Sequence, residues 1–151
     1  MSEKTVISVD TAGGDKGAAV VLNGLVESAK KNPDIAFILH GNEDELNKLL
    51  RRRRILRDVS EVRHAEKVIS MVDKPSVVLR RSAGTSMLNA LGCVAKKEAD
   101  VAVSCGNTGA LMALSMLKLR KAPGVDRPAI AVLSPSTSAP GSNIVLDVAA
   151  D

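Results

Sequence analysis

Two glycine-rich segments hold the residues best suited to chemistry. One is Ser104-Cys105-Gly106-Asn107-Thr108-Gly109; the other is Asp10-Thr11-Ala12-Gly13-Gly14-Asp15-Lys16-Gly17. A glycine turn that opens a helix aims free backbone N–H groups at whatever occupies it, and the helix dipole adds about half a positive charge there. A phosphate or another small anion suits such a turn, with the Asn107 amide and the Thr108 hydroxyl as further donors. The alternative reading is an ordinary strand-to-helix turn whose glycines only permit tight packing. Asp10 and Asp15 are suited to orienting a substrate, to accepting backbone N–H groups, or to capping the following helix, the commonest role of an aspartate there. Neither segment carries the Gly-x-Gly-x-x-Gly spacing of dinucleotide sites or the Gly-x-x-x-x-Gly-Lys-Ser/Thr nucleotide loop, so nicotinamide cofactors and ATP lose ground.

Stepping outward along the chain, each segment follows an apolar run. Thr5-Val6-Ile7-Ser8-Val9 alternates as a strand does, and Val20, Val21, Leu25 and Ala29 behind it are spaced to line one helix face. Val101-Ala102-Val103 reads as a short strand covered on both faces, and good helix formers follow over residues 110–118. A second strand is expected over residues 35–39, and Asn42 caps a helix reaching Leu50, with acidic residues in its first turn as the dipole favours. A third strand is placed near residues 59–62, a helix over 86–97, and further strands over 129–133 and 144–148, the last read as buried. Residues 134–142, polar and bounded by prolines, read as a surface loop. Strand and helix alternate throughout, which predicts an α/β fold with a mainly parallel sheet. Both glycine segments then fall at the carboxyl ends of strands, the edge where open α/β sheets bind ligands.

Composition narrows the function. The 151 residues suffice for one domain with a real core, yet Phe37 is the single aromatic residue, so base-stacking nucleic-acid surfaces are disfavoured. Two cysteines, Cys93 and Cys105, make no disulfide framework, which points to a reducing, cytoplasmic setting. No apolar run is long enough to span a bilayer, and no signal peptide is read at the N-terminus. Two histidines without clustered Cys or carboxylates argue against a metal site. His64 is suited to polarising a carbonyl or moving a proton, and equally to a structural role; His40, at a strand end, is a weaker candidate of the same kind. Cys105 sits where a helix N-terminus would favour a thiolate, against a simple packing role. The run Arg51-Arg52-Arg53-Arg54, within a formal charge of +4, is read first as a solvated helix end and second as a docking patch for an acidic partner or anionic lipid headgroups.

These motifs, in this order, resemble the N-terminal part of the PlsX-type phosphate acyltransferases. The resemblance rests on residues 10–15 (family pattern D-A-M-G-G-D), His64-Ala65, residues 71–75 running into Arg80, Ser86-Met87, and the block 99–113 with its S-x-G-N-T-G-A-L core. Pro123-Gly124-Val125-Asp126-Arg127-Pro128-Ala129 and Leu146-Asp147 complete it. It spans essentially the whole chain. The resemblance implies transfer of an acyl chain from acyl carrier protein to inorganic phosphate, giving an acyl phosphate for phospholipid synthesis. It also implies a cytoplasmic homodimer, loosely associated with the membrane, needing no cofactor, in a three-layer fold similar to the isocitrate dehydrogenase and phosphotransacetylase group. Asn107 and His64 are carried over as catalytic candidates. Asp10, Gly13, Gly14, Asp15, Arg80, Ser86, Gly106, Thr108 and Gly109 are carried over as substrate- or phosphate-binding candidates, Arg80 because a guanidinium grips phosphate through paired hydrogen bonds. The family does not depend on a cysteine at position 105.

Departures accompany the match. Thr11-Ala12 replaces the family's Ala-Met, Ala18 replaces a frequent proline, and residues 81–85 lack a frequent lysine. Val148-Ala149-Ala150-Asp151 stands where a Gly-Ala pair is usual. Family members exceed twice this length, so the chain is expected to be the first α/β portion of a longer enzyme, with no second domain of its own. Two other functions stay open: a phosphotransacetylase-like enzyme using coenzyme A thioesters, and a non-catalytic anion-binding fragment.

Overall fold

The computed structural model describes residues 4–126, 128–137 and 141–147. The described chain forms two compact units, one up to Leu119 and one from Arg120 onward.

The first unit is built on a four-stranded sheet of order β3-β2-β1-β4. Its strands are β1 (Thr5–Asp10), β2 (Ile35–Gly41), β3 (Ser60–His64) and β4 (Val101–Ser104), and every pairing is parallel. Six helices connect or follow them: α1 (Ala18–Lys31), α2 (Glu43–Leu50), α3 (Arg54–Arg57), α4 (Pro75–Arg81), α5 (Ser86–Ala95) and α6 (Thr108–Leu119). Because side chains alternate along a strand, each face of the sheet packs on its own helices. Val9, Phe37 and Leu39 meet Leu22, Leu46, Leu50 and Leu56 of α1, α2 and α3 on one face. Ile38 meets Cys93 of α5 on the other. A further cluster of Val78, Met87, Leu91, Ala110 and Leu114 joins α4, α5 and α6. The α/β fold with a mainly parallel sheet, helices on both faces, is therefore present.

Local chemistry explains the helix starts. The Asn42 side chain accepts the Glu45 N–H at 3.0 Å, and Thr85 accepts the Leu88 N–H at 3.3 Å. Helix α1 has apolar residues on two adjoining faces. Ala18 and Leu22 enter the core, whereas Val20, expected there, is 51% exposed. Gly24 sits in the middle of this helix, where glycine is roughly 0.5–1 kcal/mol less favourable than alanine. No packing demands it, since a Cβ at Gly24 would meet nothing within 4 Å.

Three expectations need correction. Val101 and Val103 are 43% and 41% exposed, so the β4 face that carries them is open, whereas Ala102 on the other face packs against the α4–α5–α6 cluster; β4 is the last strand of the sheet and has a neighbour on one edge only. The strands expected over 129–133 and 144–148 form a separate antiparallel pair, β5 (Ala131–Pro135) with β6 (Ser142–Leu146), inside the second unit. The short connection over residues 136–141 explains the sense: it closes a hairpin, whereas a parallel crossover needs a dozen or more residues. The Ser136 N–H bonds to the Gly141 carbonyl at 2.9 Å across it. Ile144, read as buried, is 69% exposed. Val148, the linker residues 138–140, Arg127 of the quoted motif, and residues 1–3 and 149–151 lie outside the described residues. Helices α3 and α4 had no counterpart in the sequence reading.

Candidate active site

Parallel neighbours that end together put their following loops side by side. Asp10 and Ser104 are register partners at the ends of β1 and β4, so the two glycine segments leave the sheet as a pair. Asp10 is buried, 1% exposed, and clasps them together. Its Oδ1 accepts the Gly13 N–H at 3.1 Å and its Oδ2 accepts the Ser104 hydroxyl at 2.7 Å. Ser104 Oγ in turn accepts the Gly106 N–H at 3.0 Å. Bonds to a carboxylate are the strong kind, so this chain of three fixes both loops against each other. Thr11, next in line, donates its hydroxyl to the His40 carbonyl at 2.7 Å and ties the first loop to β2.

The glycines are required by that contact. A Cβ at Gly13 would lie 2.6 Å from Asp10 Oδ2 and 3.0 Å from the Gly106 nitrogen. One at Gly106 would lie 2.9 Å from Met87 Cε and 3.4 Å from Gly13 Cα. Gly14 has φ +92°, and its Cβ would press on the Cys105 carbonyl at 2.8 Å. Gly13, Gly14 and Gly106 thus serve loop-to-loop packing first, the plainer of the two readings.

Asn107 is committed as well. Its Oδ1 accepts the Ala110 N–H at 2.9 Å and so caps α6. Its Nδ2 faces the carbonyls of Asp73, Met71 and Ser70 at 2.9, 3.1 and 3.3 Å, pinning the turn before α4. With the Gly106 and Ala110 N–H groups and this amide engaged, the free donors of the loop are fewer than the sequence suggested. Among the described residues no hydrogen bond occupies the N–H groups of Thr108 and Gly109, and Thr108 is exposed. Ser86 opens α5 close by, where the next residue, Met87, reaches Gly106; its Oγ is buried without a partner among the described residues.

Two candidates stand apart. His64 Nδ1 accepts the Glu43 N–H at 3.3 Å and serves the start of α2. Arg80 is exposed in the last turn of α4, and no ion pair among the described residues ties it to the loops. Asp15 is exposed on the rim of an open groove of about 480 Å³ that runs from Gly13, Gly14 and Gly17 along α1, with Val103 opposite.

His40 proves more engaged than its weak sequence ranking implied. It is buried beside Asp10, its Nε2 2.9 Å from Ser8 Oγ and 3.5 Å from Cys93 Sγ. Burial first, and the Arg63 charge second, push its pKa down from 6.5 to about 4, so the ring is neutral at pH 7. Arg63 bridges Glu61 and Glu98 and touches Cys93 Sγ at 3.2 Å, and these carboxylates push its pKa up. Ser8, Arg63 and Cys93 were given no site role in sequence, and Thr11 and Ser104 entered only as members of their glycine segments. Only Ser104 carried a signal, being the hydroxyl that ends a strand directly before a glycine turn. Among the described residues no group of His, Cys, Asp or Glu could hold a metal ion, and no helix is long and apolar enough to cross a membrane.

The sequence profile of the family described as "Fatty acid synthesis protein" matches residues 5–151. This chain belongs to that family. A "Phosphate acyltransferase" of Ruegeria sp. (strain TM1040) is 59% identical over 150 residues, 99% of this chain and 40% of the relative. Proteins of the same name from Roseobacter denitrificans and Paracoccus denitrificans are each 58% identical, over 98% and 97% of this chain and 42% and 40% of their own lengths. The chain therefore spans about 40% of the length of these relatives.

Proposed function

We propose that this chain supplies the anion-binding edge of an enzyme that transfers an acyl group from acyl carrier protein to inorganic phosphate. The observation that carries the reading is the Asp10 clasp, which holds two glycine loops side by side at the carboxyl edge of a parallel sheet. The N-terminus of α6 is held there with two N–H groups that no hydrogen bond occupies among the described residues. The name shared by the relatives supports the chemistry.

The reaction needs no covalent enzyme intermediate. A phosphate oxygen attacks the thioester carbonyl carbon, the carbonyl oxygen takes up negative charge, and the C–S bond then breaks. The products are an acyl phosphate and a carrier thiolate that picks up a proton. The protein's part is to hold phosphate against the carbonyl and to stabilise the developing oxyanion. In this reading the N–H groups of Thr108 and Gly109 and the Thr108 hydroxyl face one of those anions, with the α6 dipole behind them. Asn107 acts as a positioning residue, holding the α6 terminus and the turn over residues 70–73 in one geometry. Homodimer formation and loose membrane association belong to the same reading.

The test is to incubate acyl-acyl carrier protein with phosphate and trap the product as a hydroxamate with hydroxylamine. Phosphate-dependent hydroxamate is expected, and Thr108→Val should lower its rate about tenfold or more, since one oxyanion donor is commonly worth 10²–10³. Product from acyl-coenzyme A alone would replace the carrier assignment. Phosphate binding without product from either donor would overturn the catalytic reading.

A further inference from the structure

We propose that the pocket between the ends of β2 and β3, helix α5 and the end of α6 binds a phosphate group, free or carried on a small organic molecule, at a second site apart from the glycine loops. The inference goes beyond the acyl-transfer reading and does not depend on it. His40 and Arg63 are register partners on neighbouring parallel strands, so they share one face of the sheet. Both reach Cys93 of α5 from that face, at 3.5 and 3.2 Å. On α5, Asn89, Gly92, Cys93 and Lys96 follow the i, i+3, i+4, i+7 spacing that brings residues to one side of a helix. A polar row on the sheet thus faces a polar stripe on a helix, where helix-on-sheet packing is ordinarily apolar. The pocket they line holds about 320 Å³, at the small end of ligand sites, and is completed by His64, Leu88 and Lys118.

Charge and hydrogen bonding both point to an anion. The lining includes three cations, Arg63, Lys96 and Lys118, and no carboxylate. Glu61 and Glu98 pair with Arg63 and hold the guanidinium in place. They engage its Nε and Nη1, and among the described residues no hydrogen bond occupies its Nη2. Lys96, near Glu98, and Lys118 form no ion pair among the described residues. His40 is the second, independent observation. It is 1% exposed, and its Nδ1 has no partner among the described residues. The Ser8 hydroxyl at its Nε2 has a hydrogen to give, so the neutral ring carries its single N–H on Nδ1, a buried donor with no acceptor. His64 Nδ1 accepts the Glu43 N–H, which leaves Nε2 to donate. Leu88 and Gly92 form the uncharged side, and a Cβ at Gly92 would meet nothing within 4 Å, which leaves room for an organic stem.

The experiment titrates the ¹⁵N-labelled chain with inorganic phosphate and with phenyl phosphate at fixed ionic strength, following amide and side-chain NMR shifts. The Asn89 side-chain NH₂ and the Gly92 amide should move with both ligands, separately from any response of Thr108 and Gly109 at the glycine loops. Replacing both Lys96 and Lys118 with Ala should weaken binding at the pocket about tenfold, as loss of two exposed charge pairs allows. Replacing both with Arg should restore it, and because both side chains are exposed, thermal melts should show each double variant folded. Tighter binding of phenyl phosphate supports the site and assigns it an organic phosphate; tighter binding of inorganic phosphate supports it and assigns the free ion. Shifts confined to Thr108 and Gly109, or an affinity at Asn89 and Gly92 unchanged by the double Ala variant, would overturn the proposal. The hydroxamate assay keeps the readings apart, since acyl phosphate formation neither requires nor excludes binding here.

Discussion

Both carboxylate oxygens of Asp10 are occupied, one by the Gly13 N–H and one by the Ser104 hydroxyl, which makes this residue a fastener between loops. Asp10→Asn keeps the shape but must turn an amide N–H₂ toward one of two donors. A loss of about 1.5–3 kcal/mol is expected from urea unfolding midpoints, the usual range for a hydrogen bond to a charged group. Gly13→Ala forces a methyl group against the same carboxylate and should cost about 1–3 kcal/mol by the same measurement. Asn107→Ala removes a helix cap worth about 1 kcal/mol and frees the turn before α4, so hydrogen exchange over residues 70–73 should quicken as Tm falls. His40 gives a pH signature. Its folded pKa of about 4 lies below the ordinary 6.5, so between those values the unfolded chain binds more protons than the folded one. The stability tied to the neutral ring is complete above pH 6.5 and is lost as pH falls toward 4. Melts of wild type and His40→Gln across that window check it: the slope should flatten in the variant.

At the scale of elements, the helices that carry their own signals were legible and those made by contacts were not. Asn42 with three acidic residues behind it announced α2, and the Ser86 helix began where expected. Strands β1 and β2 showed in their apolar residues, because a buried parallel strand has little else to show. Helix α3 did not, since its run Arg54-Ile55-Leu56-Arg57 has one buried side chain, Leu56, and no side-chain cap. The exposed valines of β4 were misread because the sequence of a strand does not reveal whether it is central or last in its sheet. The site was half legible. Its loops were found from glycine spacing and strand ends, whereas the closure of one loop on the other needed the Asp10 to Ser104 register. That the Asn107 amide also holds carbonyls over 30 residues earlier in the chain has no local sequence signal. Gly24 supplies the prediction at this scale. Gly24→Ala should raise the stability of α1 by roughly 0.5–1 kcal/mol, visible as a higher urea midpoint.

For the whole molecule, the first unit holds three apolar clusters of its own, all from residues before Arg120. A fragment ending at Leu119 is accordingly expected to unfold in one cooperative transition, checked by circular dichroism and urea; a broad, non-cooperative loss of signal would refute that independence. The clasp between Asp10 and Ser104 joins residues 94 positions apart. During synthesis at about 5–20 residues per second, that separation means roughly 5–20 s between the two side chains leaving the ribosome. Strands β1, β2 and β3 can pair in that interval, while β1 waits as a temporary edge with its terminal carboxylate still in water. The clasped pair of glycine loops is thus among the last parts of the first unit to exist, and a nascent chain stopped short of Ser104 would hold a sheet but no clasp.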